Sequence, residues 1–143
     1  MIKSGLNESQ QERVEQAIRA VPFAKFLGIE LESIEPGRAT MSLQIREELK
    51  QNVGVVHGGV VASLIDSATA FAILPLLKDD ERTTTVDLTI SYLRPLINGR
   101  ISATAKVVRE GGRIVVLSAE LHDDQGNLAA TALSTYIKLT RKN

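Results

Sequence analysis

The sequence predicts an α+β fold in which one long central helix packs against an antiparallel sheet of about six strands. Three observations indicate it. A polar amphipathic segment comes first, an apolar run from Gly58 to Leu77 is long enough for the central helix, and the chain after it alternates apolar and polar residues as strands do. Because the apolar run is hydrophobic nearly all round, the sheet must curl around it or a second subunit must cover it.

Composition narrows the class of protein. The chain has 143 residues, which suits one domain, and its 17 basic residues balance 17 acidic ones. With no excess of positive charge, 3% aromatic residues and no Trp, it offers neither the electrostatic attraction nor the stacking surface that nucleic-acid binding needs. It has no Cys, which excludes disulfides and thiolate metal ligands. We therefore expect no nucleic-acid partner and no metal.

The N-terminal segment predicts a short amphipathic helix that a proline ends. Asn7 or Ser9 can cap this helix, and Glu12 lies three residues after Ser9, as in a capping box. We expect a helical extension over residues 1–22 and the main domain over residues 23–143. The polar N-terminus lacks the apolar segment of a signal peptide, and a carboxylate and a proline interrupt the apolar run, so we expect a cytoplasmic protein with no membrane partner.

Strand signals lie on both sides of the central helix. Before it, the segment from Phe23 to Ile45 predicts two strands around a Pro-Gly turn. After it, four antiparallel strands are predicted, with turns at residues 110–112 and 123–127. In the first of these four, a period of two places Val86, Leu88, Ile90 and Tyr92 on one face and Thr85, Asp87, Thr89 and Ser91 on the other.

Asp66 is the one charged residue in the apolar helix. At 100° per residue it shares a face with small residues, which leave space for a ligand or a neighbouring backbone. An unpaired carboxylate in apolar surroundings is costly, so we interpret Asp66 as a chemical group rather than a structural one. The small face comprises Gly59, Ala62, Ser63, Asp66, Thr69 and Ala70, and the bulkier faces carry Val61, Leu64, Ile65, Phe71 and Leu74.

Gly58 and Gly59 begin this helix, where backbone N–H groups have no intrahelical partners. With the positive end of the helix dipole, these donors can hold a carbonyl oxygen that becomes an oxyanion. At about 1.5 Å per residue, Gly59 and Asp66 lie roughly 10 Å apart along the axis, too far to act on one bond within one chain. A two-fold dimer with antiparallel helices would combine the carboxylate of one chain with the N–H groups of the other.

Asn52 and His57 precede these groups at a fixed spacing. The combined pattern is N-x-G-x-x-H-G-G-x-x-x-x-L-x-D-x-A, here Asn52, Gly54, His57, Gly58, Gly59, Leu64, Asp66 and Ala68. From about Phe23 to Leu139 the chain resembles the hotdog-fold thioesterases of the PaaI type. The resemblance implies a long helix wrapped by a curved antiparallel sheet, a homodimer that assembles into a homotetramer, and metal-free hydrolysis of acyl-CoA thioesters with no cofactor beyond the CoA of the substrate.

The resemblance also implies catalytic roles. Asp66 would be the catalytic carboxylate, either as the nucleophile or as the base for water. Gly59, with Gly58 as the second candidate, would donate the N–H that polarises the thioester carbonyl. Asn52 would orient the thioester or the water, and His57 would support the carbonyl-binding end.

Four further residues are candidates around this centre. Thr85, just before a Val-Asp pair, would assist the water with its hydroxyl, as the resemblance implies. Ser63 would line the space for the acyl group on the helix face. CoA would lie near a subunit interface, with Arg94 and Arg113 as candidate contacts to its phosphates.

Three other functions stay open for the sequence. One is a hotdog protein that binds acyl-CoA or a fatty acid without turning it over, another is a hydratase or dehydratase, and the third is an interaction module. The two histidines, His57 and His122, lie in no nucleophile-elbow context, so no Ser-His-Asp triad is predicted. The acyl group stays open between aromatic and aliphatic, and the low aromatic content favours aliphatic medium chains or broad specificity.

Overall fold

The computed structural model describes residues 3–141, so that residues 1–2 and 142–143, the outer ends of the two predicted regions, lie outside it. The helices are α1 (Glu8–Ala20), α2 (Pro22–Leu27) and α3 (Gly58–Ile73). The strands are β1 (Lys3–Ser4), β2 (Glu30–Glu35), β3 (Arg38–Gln44), β4 (Glu81–Tyr92), β5 (Arg100–Glu110), β6 (Ile114–His122) and β7 (Leu128–Thr140). Short 3-10 turns, Glu47–Leu49 and Leu74–Leu76, follow β3 and α3.

The strands form one sheet in the order β1-β2-β3-β5-β6-β7-β4. Strands β2 to β7 pair antiparallel, which confirms the predicted fold class, and the two predicted tight turns join β5 to β6 and β6 to β7. The sequence did not predict β1, which adds two residues in parallel beside β2. At the opposite edge, the outer side of β4 has no strand partner in the described part of the chain, and an uncovered edge of this length invites pairing.

The central helix α3 is buried as its composition predicts. Leu64 and Ile65 are fully buried, Val61 and Phe71 are nearly so, and these bulky faces pack mainly on β3, β5 and β6. By length and composition alone the segment Gly58–Leu76 could cross a membrane, but 56% of its most apolar 18-residue stretch is buried inside the fold. The apolar surface of α3 is therefore the core of this domain.

The N-terminal helix α1 is capped by Asn7. The Asn7 side chain accepts a hydrogen bond from the Gln10 backbone N–H (2.9 Å), and the Gln10 side chain accepts one from the Asn7 N–H (3.0 Å). This reciprocal pair is a capping box, so the alternative with Ser9 and Glu12 is wrong.

Polar contacts fix α1 to the end of the central helix. The Arg13 guanidinium donates hydrogen bonds to the carbonyls of Leu74 and Leu77, and the Gln10 side chain donates to the carbonyl of Pro75 at 3.0 Å. The Arg13 contact at Leu74 adds to the hydrogen bond that this carbonyl accepts from the Leu77 N–H at 3.3 Å, and the other two contacts reach carbonyls at the open end of the helix. The division into an extension and a main domain at residue 22 stays a prediction.

The segment after α1 is helical, contrary to the strand signal of the sequence. Pro22 is the first residue of α2, where its missing N–H costs no hydrogen bond. The helix ends at Gly28, whose φ of 76° lies in the left-handed region that favours glycine. The first strand of the predicted pair therefore begins only at Glu30, because the proline and the glycine delimit a short helix between them.

A bulge in β4 determines which face Thr85 occupies. The pairing of β4 with β7 slips between Thr85 and Asp87, which leaves Val86 without a partner. Val86 is 59% exposed, whereas Leu88 and Ile90 pack against the core. The sequence placed Val86 on the same face as Leu88 and Thr85 on the opposite face. That prediction is wrong, because the extra residue in the bulge puts Thr85 on the inner face with Leu88.

Candidate active site

His57 caps the N-terminus of α3. Its Nδ1 atom accepts the Gly59 N–H at 2.8 Å, and its carbonyl accepts the Val60 N–H at 2.9 Å. The Gly58 N–H has no hydrogen-bond partner among residues 3–141. The cap occupies the Gly59 N–H, which the sequence favoured as the carbonyl donor, and leaves free the N–H of Gly58, the second candidate. The donor role itself stays a prediction.

Both glycines stand where a side chain would be crowded. A Cβ at position 59 would lie 2.9 Å from Nδ1 of His57 and would displace the cap. A Cβ at position 58 would lie 3.3 Å from the ring and hydroxyl of Tyr92, which donates to the Gly58 carbonyl at 2.8 Å. The bare backbone at this helix end keeps the donor accessible.

Asn52 lies in a turn ahead of the cap. The Gly54 N–H donates to the Gln51 carbonyl at 3.2 Å, and the Gly54 φ of 79° favours glycine. The Asn52 side chain is exposed and makes no hydrogen bond within the described range. The loop is held at its far end, where the Val56 N–H donates to the Leu96 carbonyl at 2.8 Å.

A cleft of about 560 Å³ opens beside this helix end. It is lined by Gly58, Gly59, parts of the Asn52 loop, Tyr92 at the end of β4 and residues 93–96 after it. Arg94, a predicted contact to the CoA phosphates, is exposed and lines the same cleft as Gly58.

Arg113 lies at the other end of the sheet. It occupies the β5–β6 turn beside Ile114, which pairs with Ile137 of β7. Tyr92, near Arg94, pairs with Ala130 of the same strand. At about 3.3 Å per residue, Ala130 and Ile137 are roughly 23 Å apart along β7, so one chain does not bring the two predicted arginines into one cleft.

Asp66 is half-buried on α3, and two strands hold its carboxylate. The Thr85 hydroxyl of β4 donates to Asp66 Oδ1 at 2.9 Å, and the Tyr136 hydroxyl of β7 lies 3.1 Å from the same oxygen. Oδ2 accepts no hydrogen bond from any residue that the structure describes. One carboxylate oxygen is anchored, and the other is free to meet a reactant.

Sequence reasoning missed Tyr136. The residue is 2% exposed, and burial raises the pKa of its phenol, which the nearby Asp66 carboxylate raises further. The phenol therefore keeps its proton at neutral pH and can act as a donor. The alternation along β7 could have identified it. Tyr136 falls on the inner face with the small residues Ala130, Ala132 and Ser134, and a buried tyrosine hydroxyl needs a polar partner.

Small residues flank Asp66 along one half-buried stripe of the helix. The Ser63 hydroxyl donates to the Gly59 carbonyl at 2.7 Å, so its hydrogen-bonding capacity is partly used inside the helix. Thr69, which the sequence placed on this face, is fully buried and lies 2.8 Å from the Tyr136 hydroxyl. The stripe consists of Ala62, Ser63, Asp66, Ser67 and Ala70.

One chain contains two separate halves of the predicted site. Asp66 and Thr85 form one half, and the His57 cap with the Gly58 N–H and Arg94 forms the other. Gly58 and Asp66 belong to one continuous helix and are roughly 12 Å apart along its axis. Among the described residues, no group of three or more His, Cys, Asp or Glu side chains could hold a metal ion.

Comparisons with known proteins agree with this architecture. Residues 53–130 match the family model of the Thioesterase superfamily. The medium/long-chain acyl-CoA thioesterase YigI of Escherichia coli is 30% identical over 138 residues, spanning 86% of this chain and 89% of YigI. The crystal structure of a thioesterase family protein from Silicibacter pomeroyi has a TM-score of 0.87 at 25% identity, over 92% of this chain and 98% of that one.

The fold is also that of the PaaI protein of the E. coli phenylacetic acid degradation operon. That structure has a TM-score of 0.86 at 24% identity and covers 96% of this chain and 100% of its own. The predicted family and enzyme class are thereby confirmed. The chain belongs to the Thioesterase superfamily and is a hotdog-fold thioester hydrolase.

Proposed function

We propose that this chain hydrolyses acyl-CoA thioesters to the free acid and CoA, with Asp66 as the catalytic carboxylate. The observation that carries the proposal is the Asp66 carboxylate, which Thr85 holds at Oδ1 while Oδ2 stays free on a half-buried helix face. A partly desolvated carboxylate with one available oxygen can act as a base or as a nucleophile. The similarity to the acyl-CoA thioesterase YigI supports the substrate class.

The chemistry needs few groups. As a base, Asp66 Oδ2 takes a proton from water while the water oxygen bonds to the thioester carbon. As a nucleophile, Oδ2 bonds to that carbon, and water then hydrolyses the resulting anhydride. In both routes the carbonyl electrons move onto oxygen beside the Gly58 N–H, and their return breaks the C–S bond and releases the CoA thiolate. Because a thiolate leaves without strong acid assistance, one carboxylate and one amide donor suffice.

The two halves of the site come from different subunits in this proposal. The half-buried stripe of α3 and the unpaired edge of β4 lie side by side, and both lack a covering surface within the described chain. Thr85 contacts Asp66, and Tyr92 contacts Gly58. An antiparallel β4–β4 pair centred on Thr89 places Thr85 opposite the partner's Leu93, next to the partner's Tyr92, so that Asp66 faces the partner's Gly58.

Thr89→Cys tests this register, because the chain has no other cysteine. Residues paired across antiparallel strands have Cα atoms about 4.5–5.5 Å apart, which suits a disulfide. We expect mild oxidation to convert the variant into a covalent dimer on non-reducing gel electrophoresis. Thr131→Cys, on β7 one strand in from the edge, is the control and should stay uncrosslinked. A monomer in solution, or equal crosslinking of both variants, contradicts the proposed pairing.

Mixing two inactive variants tests whether the site is shared. In a mixed dimer of Asp66→Asn and Gly58→Pro chains, one site carries both substitutions and the other carries neither. Half of the dimers are mixed after random exchange, so we expect a recovery to about a quarter of wild-type activity. The measurement is thiol release after joint refolding, with each variant refolded alone as the control. No recovery despite proven mixed dimers would place both groups in one chain.

The cleft beside Gly58 is the proposed position of CoA. Arg94 stands exposed on its wall for a phosphate contact, and the antiparallel pairing brings the partner's Arg113 to the same end. Asn52, on the loop ahead of the cap, orients the thioester or the water. The acyl chain follows the small-residue stripe past Ser63, and the resemblance to YigI supports a medium or long aliphatic chain. We further propose that the dimers pair into tetramers and that the enzyme works in the cytoplasm.

A thiol-release assay over acyl-CoA esters of increasing chain length, with phenylacetyl-CoA included, tests the proposed function. We expect turnover that favours aliphatic chains. Tight acyl-CoA binding by wild-type protein without thiol release would identify a carrier or sensor instead. Consumption of an unsaturated acyl-CoA by addition of water, again without thiol release, would identify a hydratase.

A further inference from the structure

The buried hydroxyl of Tyr136 touches the catalytic carboxylate, yet the chemistry proposed above does not use it. The hydroxyl lies 2.8 Å from Thr69 Oγ1, 3.0 Å from the Asp66 carbonyl oxygen and 3.1 Å from Asp66 Oδ1. Because the side chain is 2% exposed, bulk water does not compete for these contacts. The phenol has one proton and three oxygen neighbours, so the direction of that proton decides what Tyr136 does.

Several proton arrangements fit these distances, because Tyr136 can donate to Thr69, to the Asp66 carbonyl or to Asp66 Oδ1, and two of them give Tyr136 opposite roles. In the first, Thr69 donates to the Asp66 carbonyl at 2.8 Å and Tyr136 donates to Thr69. In the second, Thr69 donates to Tyr136 and Tyr136 donates to Asp66 Oδ1. The Asp66 carbonyl already accepts the N–H of the next helical turn, so it does not need the Thr69 hydroxyl. The second arrangement is favoured, because a hydrogen bond to an ionised oxygen is about twice as strong as one between neutral groups.

We propose that Tyr136 is a positioning residue that, together with Thr85, fixes Oδ1 of Asp66 and presents Oδ2 to the reactant. This inference rests on the proposed catalytic function of Asp66. The two hydroxyls approach Oδ1 from neighbouring strands, β4 and β7. A carboxylate held by two donors cannot rotate to exchange its oxygens without losing both bonds, whereas one held by a single donor loses less. Tyr136 itself touches no reacting atom and acts through Asp66.

The pH dependence of the reaction should report this hydrogen bond. Within residues 3–141, Tyr136 is the one titratable side chain that contacts the Asp66 carboxylate, and β4 contributes the neutral hydroxyl of Thr85. Asp87 lies beyond the bulge and on the outer face, because it pairs with Thr135, and His57 caps the distant start of α3. A hydrogen bond to the ionised form of a carboxylate favours that form, so we expect its removal to move the acidic limb of the kcat/KM profile to higher pH.

Tyr136→Phe removes the donor and keeps the ring. We expect kcat for acyl-CoA to fall about tenfold with little change in KM, as for one lost hydrogen bond to a charged group. The acidic limb of the kcat/KM profile should move to higher pH. In the Asp66→Asn background, the same substitution should change the residual rate little, because the hydroxyl acts through the carboxylate.

Ser134→Ala is the matched control for loss of a buried hydroxyl on the same strand. The Ser134 hydroxyl donates to the Asp87 carbonyl at 3.0 Å, and the side chain is 1% exposed. We expect a loss of urea stability comparable with that of Tyr136→Phe, but an unchanged acidic limb. If Tyr136→Phe keeps the wild-type acidic limb and loses no more kcat than Ser134→Ala, Tyr136 is structural and the inference is wrong.

Thr69→Val gives a second test that does not require Tyr136→Phe to fold. If Thr69 donates to Tyr136, its loss weakens the Tyr136 donor and moves the acidic limb slightly to higher pH. If Tyr136 instead donates to Thr69, its freed proton turns to Asp66, and the limb moves to lower pH. The second result overturns the inference. Inactive wild-type protein would overturn the proposed function itself, and an active wild type with a fully active Asp66→Asn would overturn the assignment of Asp66.

Discussion

Asp66→Asn should lower acyl-CoA turnover by about 10²-fold or more and leave the fold intact. The amide matches the carboxylate in shape and can still accept the Thr85 hydrogen bond at Oδ1. It has no basic or nucleophilic oxygen to replace Oδ2, so neither route to the tetrahedral intermediate remains. The measurement is CoA thiol release at saturating substrate, with circular dichroism and urea denaturation to verify the fold. Asp66→Ala should show a similar loss of rate.

Asp87→Asn is the matched control for this experiment. Asp87 lies two residues beyond Thr85 in the same strand, but it is exposed on the outer face of the sheet. Its neutralisation changes the net charge by the same amount as Asp66→Asn does, without touching α3. We expect wild-type turnover from Asp87→Asn. Unchanged hydrolysis by Asp66→Asn would remove Asp66 from the mechanism, and with it the main reason for a shared site.

Gly58→Pro should lower kcat by about 10²–10³-fold, the effect of losing one donor to a developing oxyanion. The substitution deletes the free N–H and adds a Cβ that meets Tyr92 at 3.3 Å. Gly58 is the first residue of α3, where proline is well tolerated. His57 ahead of it has φ −62° and ψ 134°, which lies in the extended region that a residue before proline prefers.

Gly58→Ala separates loss of the donor from crowding. Alanine adds the Cβ that meets the Tyr92 ring at 3.3 Å and keeps the N–H, so we expect a much smaller loss than with proline. Single-turnover measurements should place the difference between the two variants in the chemical step rather than in binding. Equal rates for alanine and proline would show that the Gly58 N–H is not the oxyanion donor.

Much of this architecture follows from patterns that depend on neighbouring residues. The apolar run predicted α3, because its length and all-round hydrophobicity require a core position, and Leu64 and Ile65 are fully buried. Alternation predicted the four strands after it. The helical period predicted that Asp66 lies in the middle of α3, because this depends only on positions within one helix.

The remaining features depend on contacts between distant segments, which local patterns do not encode. Strict alternation assigned Val86 and Thr85 to the wrong faces of β4. The bulge that shifts them arises from the pairing of β4 with β7, which the sequence of β4 alone does not reveal. Tyr136 was missed because it lies 70 residues after Asp66 in the chain. The His57 side chain folds back onto Gly59 and leaves the Gly58 N–H free, a choice between two N–H groups that composition cannot make.

The extra residue in β4 also makes the strand tolerant of a change in chain length. A single deletion at Val86 would make the pairing regular, with Thr85 opposite Tyr136 and its new neighbour Asp87 opposite Thr135. The Thr85 hydroxyl would still face Asp66, and the exposed Val86 side chain would be the only one lost. Relatives without this residue would therefore keep the same hydroxyl beside their acidic group.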